Sequence, residues 1–551
     1  MIFFQRKEAQ SLAQRFAKGL LVSIGVLVFT LDGHAEAVGM RVIVNSNEDG
    51  GVLADDRLTL REAIEIVNGS LSLDRLSARE RQQVISGETQ GKNEILTPRI
   101  EFNLPEGKTT IYLQNLLPAL QVPVIIDGNT QPKFVAGEKA IIPKPEVAIT
   151  AAANKEIFRG FTVVSSGVTI RGLSLYGFSY RHRSTASSPP ADIFIANRSW
   201  YMVNGEFVST EKEEKSSIDN APKDVVIEYN WLGISPEQEG NKLKQNNTEE
   251  NNSLGNLDNS PGNLKFNSAF GVSVFNSFGT KIYRNRISQH DGSAIITGVR
   301  SQNLVISDNI IEYNGFRGMP DAIRLEGDIS NTQILFNQIR DNAGSAIYLF
   351  KPEGAAEIRE NLISNNGQAY RRAAIYLMGN NNQVLKNQIR HQSGPGVVVT
   401  AYPNSQGNFI KNNRFSDLAG LSIDLVTQLN TDIFAYQIGD GRNPPMTSWQ
   451  RRRKTGNFGI DAPRFISKEF FINNGKVTLL GQAEAGTEIE IYRVEDNALS
   501  ESLGTVTCNS QGKFAITLDN LKPGDKVSAL VNHVKYGTSE PAVNAVIRDL
   551  K

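Results

Sequence analysis

Apolar and polar positions repeat in a fixed phrase along the middle of the chain. In QILFNQIRDNAGSAIYL, residues 333 to 349, apolar residues alternate with polar ones, an asparagine interrupts the alternation, and Ala343-Gly344 form a turn before it resumes. Alternation with a period of two predicts β-strands, and the interruptions predict corners between them. We therefore expect short strands joined by tight corners.

Seven asparagines share this setting, with an aliphatic residue three positions before each and an apolar residue two positions after. They are Asn230, Asn285, Asn309, Asn337, Asn361, Asn387 and Asn413, and after the first interval they are separated by 24, 28, 24, 26 and 26 residues. A unit of this length cannot bury its own apolar face, so neighbouring units must stack. The pattern predicts an all-β fold, a parallel β-helix in which strands of successive coils pair about 4.8 Å apart.

The asparagines themselves suit the corners of such a solenoid. Asparagine tolerates left-handed backbone, and its amide can hydrogen-bond to the asparagine one coil away. A leucine-rich solenoid fits less well because the repeated columns are β-branched. A transmembrane barrel fits less well because it needs strands of about ten residues with aromatic girdles.

A second strand follows each corner, as in AIRL (322–325), AIYL (346–349) and AIYL (374–377). If the isoleucines and leucines face inward, alternation places Arg324, Tyr348 and Tyr376 outward on three successive coils. Stacked in one column, they would form a solvent-facing platform.

The two ends of the chain show residue patterns that differ from those of the central repeats. Thr59 and Glu62 predict a capping box on an amphipathic helix in DDRLTLREAIEIVNG (55–69), which would cover the first coil within an amino-terminal cap at 38–110. The β-helix is predicted at 111–460, with a polar insert at 237–263 and a polar connection carrying the RRRK run at 451–454. Regular short strands at 464–551 predict an antiparallel β-sandwich of immunoglobulin type.

Residues 1–37 predict an export signal. Basic residues precede an apolar run from Gly19 to Leu31, and Ala35-Glu36-Ala37 offers a cleavage site, which predicts a bacterial protein of the periplasm, outer surface or exterior. An uncleaved interfacial anchor is the alternative. The 58 basic and 58 acidic side chains balance, so net charge favours neither nucleic acid nor an anionic membrane. The single cysteine, Cys508, excludes an intramolecular disulfide.

The motifs resemble a known group of proteins. LTLREAIEIVNG, followed by IEFNLPEGKTTIYLQNLLPALQVPVIIDGNTQ and the asparagine coils, is similar to bacterial right-handed parallel β-helix proteins with a SLREAI-type amino-terminal cap, within the pectin-lyase-like superfold. The chain lacks the cysteine that often precedes the Leu-Arg-Glu of that cap. The resemblance implies a right-handed solenoid followed by a sandwich domain. It leaves function open, because the superfold carries lyases, hydrolases, epimerases and adhesins.

Sugar-cleaving members of this superfold place acids on the outward face of adjacent coils. The candidates here are Asp291, Asp321 and Asp341 in corner regions, with His290 as a further acid or base. Their offsets from the following strands differ, so the sequence does not guarantee that they converge. The histidines show no metal-ligand spacing and no cofactor is evident; Ca2+ is possible but not indicated by the residues.

A carbohydrate-binding face is the other candidate site. Aromatic rings suit sugar faces and arginine forks onto uronate or sulfate groups. The candidates are Arg317, Arg324, Tyr348, Arg371, Arg372 and Tyr376. We therefore expect a polysaccharide partner, either bound or processed; the alternatives are a non-catalytic surface or adhesion protein and a structural spacer. The sequence predicts no nucleic-acid partner and no transmembrane span in the mature chain, and it leaves the oligomeric state open.

Overall fold

The computed structural model describes residues 39–86, 97–134, 142–179, 189–197, 220–237, 267–401, 404–427 and 438–550. The predicted export signal, and the predicted insert from residue 238 onward, lie outside the described residues. The described residues belong to one compact unit. None of the described helices is long and apolar enough to cross a membrane.

Three parallel sheets form the walls of the predicted β-helix, and each complete coil contributes one strand to each sheet. Sheet A comprises Val84–Ile85, Arg41–Val44, Arg99–Phe102, Ile125–Asp127, Thr169–Arg171, Val226–Glu228, Lys281–Tyr283, Val305–Ser307, Thr332–Leu335, Ala356–Arg359, Gln383–Leu385 and Phe409–Lys411. Only its first pair is antiparallel.

Sheet B comprises Thr110–Leu113, Val147–Ala151, Leu173–Tyr176, Trp231–Leu232, Arg286–Ser288, Ile310–Glu312, Gln338–Arg340, Leu362–Ser364, Gln388–Gln392 and Arg414–Leu418. Sheet C comprises Arg159–Val163, Ala191–Ile195, Val272–Phe278, Ile295–Gln302, Ile323–Leu325, Ile347–Leu349, Ile375–Leu377, Val397–Val399 and Ile423–Leu425. The parallel β-helix predicted from the repeat is confirmed.

Identical apolar residues stack in register to make the core. In sheet A, Ile306 pairs with Ile282 on one side and Ile334 on the other, and Ile334 pairs with Ile358. All four side chains are fully buried. Because β-branched residues pack well on a pleated surface, each file of isoleucine favours the strand conformation and the stacking of coils together.

The seven asparagines form one continuous ladder. Asn337 is typical: its backbone N–H and its Nδ2 each donate to Oδ1 of Asn361 at 3.0 Å, and its own Oδ1 accepts the same pair of bonds from Asn309. The same two bonds link every neighbouring pair from Asn230 to Asn413. The predicted stacking of the corner amides is confirmed.

The left-handed backbone belongs to a different residue from the one expected. The residue immediately before each ladder asparagine has φ between +54° and +57°; these are Tyr229, Arg284, Asp308, Phe336, Glu360, Lys386 and Asn412. The prediction that asparagine supplies the left-handed corner is therefore wrong. Asparagine is required for its amide, which bonds along the stack and to the backbone of its own corner.

Two further polar ladders run along the other corners. His290, Asn314, Asn342 and Asn366 form the second, between sheets B and C. Asn382, Asn408 and Asn457 form the third, between sheets C and A. Asn457 lies in the closing segment rather than in a coil, so that segment continues a ladder of the solenoid.

The amino-terminal end carries two short helices, α1 (Leu60–Val67) and α2 (Ala78–Arg81), and a 3-10 turn at Leu73–Arg75. The capping box predicted at Thr59 and Glu62 is present, and a second one joins Ser77 and Glu80. A further 3-10 turn lies at Gly128–Thr130. The apolar side of α1 is buried in the core of the first coils.

After the last coil the chain forms α3 (Trp449–Arg453), a turn at Gly456–Gly459 and a nine-stranded sheet. Its strands are Arg464–Phe465, Glu469–Asn473, Lys476–Gln482, Glu488–Glu495, Ala498–Thr507, Lys513–Leu518, Lys526–His533, Gly537–Thr538 and Ala545–Asp549. The sheet is mixed, because Glu469–Asn473 pairs in parallel with Ala545–Asp549. Its assignment to the immunoglobulin type, like the domain boundaries, stays a prediction.

The carboxy-terminal sheet closes the last coil with polar side chains. Thr538 Oγ1 accepts from the backbone N–H of Ile410 at 2.9 Å, and Glu490 Oε1 accepts from that of Asn412 at 3.1 Å. Glu540 Oε1 accepts from the N–H of Leu425 at 3.1 Å. These bonds occupy donors that would otherwise be left on the open edge of the last coil.

Candidate functional site

The predicted outward column of sheet C is assembled as expected. Arg324 pairs in register with Tyr348, and Tyr348 pairs with Tyr376. The two tyrosine rings lie 5.2 Å apart, centroid to centroid. Alternation therefore placed these three side chains on the correct side of the sheet.

The column is not a solvent-facing platform, and this correction removes most of the predicted binding face. Tyr348 is 2% exposed and Tyr376 is 1% exposed. Both pack in a small apolar cluster outside the coil core, with Ala373, Met378, Val398 and Val426. Period-two alternation shows which side of a sheet a residue occupies, but it does not show whether loops cover that side.

Arg324 and Arg372 hold a buried carboxylate rather than facing solvent. Asp321 is fully buried, and its Oδ1 accepts from Nη1 of Arg372 at 3.0 Å and from the N–H of Ser345 at 2.9 Å. Arg324 Nη1 lies 3.7 Å from Oδ2 of Asp321, and its guanidinium also pairs with Glu326 and lies 4.8 Å from the ring of Tyr348.

The setting of Asp321 makes it a structural acid. Burial raises the pKa of Asp321, while Arg372, Arg324 and the N–H of Ser345 act in the opposite direction. A polymer cannot reach a carboxylate that has no exposed surface. The burial of Asp321 corrects its prediction as a catalytic residue, and the burial of Arg372 corrects its prediction as a binding residue. The pair instead ties the coil of Asp321 to the coil two turns on.

His290 is also a structural residue. It begins the second corner ladder: its backbone N–H donates to Oδ1 of Asn314 at 3.1 Å, and its Nδ1 lies 2.9 Å from the same oxygen. Its Nε2 lies 2.9 Å from Oδ2 of Asp192, and Oδ1 of Asp192 accepts from the hydroxyl of Ser268. All of these side chains are buried, so His290 is closed to a polymeric substrate.

Asp192 was missed by sequence reasoning because it is remote in the chain from His290. Burial raises the pKa of the Asp192 carboxyl, and the contact with His290 and the Ser268 hydroxyl oppose that rise. Nδ1 of His290 faces an amide oxygen, so it carries a hydrogen and Nε2 is the nitrogen that meets the acid. The contact between Nε2 and Asp192 therefore completes a buried polar network.

Asp291 and Asp341 do not complete a pair with Asp321. Asp291 follows the second-ladder residue His290, whereas Asp341 precedes the second-ladder residue Asn342, so they occupy different columns. Asp341 has a left-handed backbone, with φ of 57°, and accepts from the amide of Asn365 on the next coil. Of the four predicted catalytic residues, Asp321 and His290 are buried in hydrogen-bonded networks, Asp341 accepts a bond from the next coil, and Asp291 occupies a different column from Asp341.

Exposed basic side chains instead occupy the outer face of sheet B near its carboxy-terminal end. We call this the arginine face, comprising Gln388, Arg390, His391, Arg414 and Ser416, all exposed. Arg390 pairs in register with Ser416, and Gln388 pairs with Arg414. Among the described residues, neither Arg390 nor Arg414 has an ion-pair partner, whereas Arg340 two coils earlier is paired with the buried Glu312.

A protruding corner adjoins this face. Tyr370 is 42% exposed, and the guanidinium of the buried Arg372 lies 4.8 Å from its ring centroid. Arg371 is exposed and has a left-handed backbone, with φ of 53°. The carbonyl of Arg371 lies against Gly394, where a Cβ would approach it to 2.4 Å, so this corner sits beside the coil of Arg390.

The other predicted binding residue, Arg317, is exposed, and its backbone N–H donates to the carbonyl of Asp291 at 3.0 Å. The sequence singled out Arg317 and Arg371 but missed Arg390 and Arg414. The signal was present in the repeat itself, since both lie on strands after a ladder asparagine at positions that alternate with buried Ile389 and Phe415. Within the described ranges, no group of three or more His, Cys, Asp or Glu residues could hold a metal ion.

Comparisons with known proteins agree with the architecture. The family model for the right-handed β-helix region matches residues 223–369 and 315–434. None of the curated proteins compared with this chain matches it. The surface adhesin PfbA of Streptococcus pneumoniae is a structural neighbour with 13% identity and a TM-score of 0.36, and the match covers 60% of this chain and 85% of that one.

Two further neighbours are similarly remote. The DFA-IIIase of Arthrobacter chlorophenolicus A6 has 12% identity and a TM-score of 0.28, over 72% of this chain and 75% of the enzyme. The ORF18 protein of Geobacillus virus E2 has 10% identity and a TM-score of 0.41, over 92% of this chain and 76% of that one. These likenesses are too low to bear on function. Together, the stacked parallel sheets and the family model matched over residues 223–434 show the right-handed parallel β-helix fold in this chain.

Proposed function

We propose that this chain is a non-catalytic polysaccharide-binding protein that binds an acidic glycan on the arginine face and the adjoining Tyr370–Arg371 corner. The observation that carries the proposal is the contrast in exposure. Arg390 and Arg414 are exposed on adjacent coils and have no ion-pair partner in the described part of the chain, whereas Asp321 and His290 are closed to solvent.

The chemistry of the face suits a polymer with regularly spaced anions. Arg390 and Arg414 lie diagonally on adjacent strands about 4.8 Å apart, each opposite a polar side chain rather than the other arginine, so they can meet two separate anions of an extended sugar chain. Guanidinium groups donate two parallel hydrogen bonds to a carboxylate or sulfate, and an exposed tyrosine ring offers an apolar surface to a sugar ring. Gln388 and Ser416, which lie between the two charged side chains, can hydrogen-bond to the hydroxyl groups of a sugar. Binding of this kind needs no cofactor.

The proposal includes the setting predicted from the sequence. It places the protein outside the cytoplasm of a bacterium, in the periplasm, on the outer surface or in the exterior, after removal of residues 1–37. It also retains an immunoglobulin-type carboxy-terminal sandwich beside the β-helix. Adhesion is one role of this kind, because it requires binding without turnover of the polysaccharide. N-terminal sequencing of the exported protein tests the predicted cleavage after residue 37.

Binding to polygalacturonate, dextran sulfate and neutral dextran tests the function directly. We expect R390Q/R414Q to bind the acidic polymers about tenfold or more weakly, because each hydrogen bond to a charged group contributes about 1.5–3 kcal/mol. Arg359 is the matched control, since it lies on sheet A in ion pairs with Glu357 and Glu360. R359Q should bind like the parent chain.

Two results would count against the proposal. Equal affinity of the parent and R390Q/R414Q for every acidic polymer would remove the arginine face from the site. Release of new reducing ends or unsaturated uronates from any of the polymers, abolished in D321N, would show that the buried acid becomes catalytic and that the protein is an enzyme.

A further inference from the structure

The basic run at 451–454 is part of an ordered surface feature, not a solvated linker. Arg452 turns inward, where its Nη1 donates to the carbonyl of Gly459 at 3.0 Å and its Nη2 donates to that of Met446 at 3.1 Å. The same guanidinium pairs with Asp461. Ser448 caps the amino terminus of α3, and Thr455 Oγ1 donates to the carbonyl of Arg451 at 2.9 Å.

Because Arg452 anchors α3 from the inside, its neighbours are displayed outward. Trp449 is 62% exposed, and the guanidinium of Arg453 lies 4.8 Å from its ring. Arg451 and Lys454 are exposed as well. We call Trp449, Arg451, Arg453 and Lys454 the tryptophan–arginine knob.

The charge of the knob is not compensated locally. The sequence contains no aspartate or glutamate between Asp440 and Asp461, and Asp461 is occupied by Arg452. Among the residues that the structure describes, Arg451, Arg453 and Lys454 have no ion pair. A large exposed indole in contact with one unpaired arginine, with two further unpaired cations in the same short segment, is unusual on a protein surface, where exposed tryptophan is rare.

We propose that the tryptophan–arginine knob is a docking surface for a membrane rich in anionic phospholipid. Tryptophan is enriched at the membrane–water interface, where its ring lies at the level of the headgroups, and clustered Lys and Arg side chains are attracted to anionic lipid. A five-residue helix offers no groove walls and few fixed acceptors, so it suits a fluid, negatively charged surface better than a polymer held by directed hydrogen bonds. This inference does not depend on the glycan site.

Sedimentation of the full chain with vesicles tests the proposal. Vesicles of phosphatidylcholine give the background, and vesicles containing phosphatidylglycerol give the signal. We expect the parent chain to bind the anionic vesicles more tightly and R451Q/R453Q to bind them at least about tenfold more weakly, with binding of the parent falling as salt is raised. W449A should also weaken binding, and W449F should lose a blue shift of tryptophan emission that the parent shows on anionic vesicles.

The glycan-face variant R390Q/R414Q is the matched control, because it removes the same number of charges elsewhere. It should bind anionic vesicles like the parent, and R451Q/R453Q should bind acidic glycans like the parent. The proposal is overturned if the parent does not distinguish the two kinds of vesicle. It is equally overturned if R451Q/R453Q weakens dextran sulfate binding as strongly as vesicle binding while W449A changes neither, which would make the knob a general polyanion site.

Discussion

At the scale of single residues, stability rests on amides that bond along the stack. Asn337 illustrates the arrangement: Nδ2 donates to the carbonyls of Ile306 and Leu335 as well as to Asn361, and Oδ1 accepts from Asn309. Every one of these groups is buried or partly buried. Removing one amide therefore leaves several polar groups without partners, in an environment where each costs about 1–3 kcal/mol.

We accordingly expect Asn337→Ala to lower the free energy of unfolding by about 3 kcal/mol or more. Gln338→Ala, one residue later on the outer face of sheet B, is the matched control and should change it by less than about 1 kcal/mol. Denaturant titration followed by circular dichroism measures both. A similar, small effect of the two substitutions would show that the ladder contributes little to stability.

A second residue-scale prediction concerns pH. Asp424, in the outward column of sheet C, accepts from the N–H of Gly441 at 2.9 Å, and burial together with Glu540 and Asp440 raises its pKa to about 8. Its unfolded value is near 3.8. Between these values the folded state holds a proton that the unfolded state has lost, so the stabilisation is complete below about pH 4 and is lost as pH rises through about 8.

The midpoint denaturant concentration should therefore decrease as the pH is raised from about 5 to about 8.5. Asp424→Asn should make that decrease smaller. Some slope should remain, because burial also raises the pKa of Glu540. Asp496→Asn, at an exposed position with no ion pair among the described residues, should leave the slope unchanged. A parent chain that is equally stable at both pH values, or more stable at the higher one, would contradict the assignment.

At the scale of elements, the carboxy-terminal sheet and the β-helix are joined by specific polar contacts. Thr538 Oγ1 both accepts from Ile410 and donates to Oδ1 of Asn532 at 2.6 Å. Tyr536 of the same sheet stacks on Phe458 of the closing segment, with ring centroids 4.6 Å apart. The sheet therefore acts as a lid on the last coil, which explains why the two fold as one compact unit.

Thr538→Val tests this closure with little change of shape. Loss of the hydroxyl leaves the buried N–H of Ile410 without its acceptor, so we expect a loss of about 1–3 kcal/mol in stability. Thr517→Val is the isosteric control, because the Thr517 hydroxyl is exposed and its one hydrogen bond among the described residues is to the hydroxyl of Thr478. Equal effects of the two substitutions in thermal or chemical unfolding would argue against closure by the sheet.

At the scale of the whole molecule, the architecture could be predicted from the sequence and the exposed site could not. The spacing of the ladder asparagines between Asn285 and Asn413 predicts the length of each coil, and the repeated isoleucines predict the register between coils. Both could be predicted because they are local patterns repeated many times. The burial of Tyr348 and Tyr376 depends instead on their packing against Ala373, Met378, Val398 and Val426 outside the coil core. The pairing of His290 with Asp192 likewise joins residues far apart in the chain, and no periodicity in the sequence predicts such a pair.

Dependence on distant partners also explains why Arg372 was predicted to contact a ligand, whereas in the structure it binds the buried carboxylate of Asp321. Its neighbours Tyr370 and Arg371 are displayed because Arg372 reaches inward to Asp321. Whether an arginine faces solvent or a buried acid is decided by a partner on another coil. Exposure, not residue type, therefore separates the arginine face from the residues predicted first.

Hydrogen–deuterium exchange with and without a bound acidic glycan tests the central claim most directly. The account predicts new protection in sheet B at residues 388–392 and 414–418 and in the 367–372 corner, with unchanged exchange around Asp321 and along sheet A. Protection concentrated at 318–326, or at sheet A strands, with no change at Arg390 and Arg414, would contradict it.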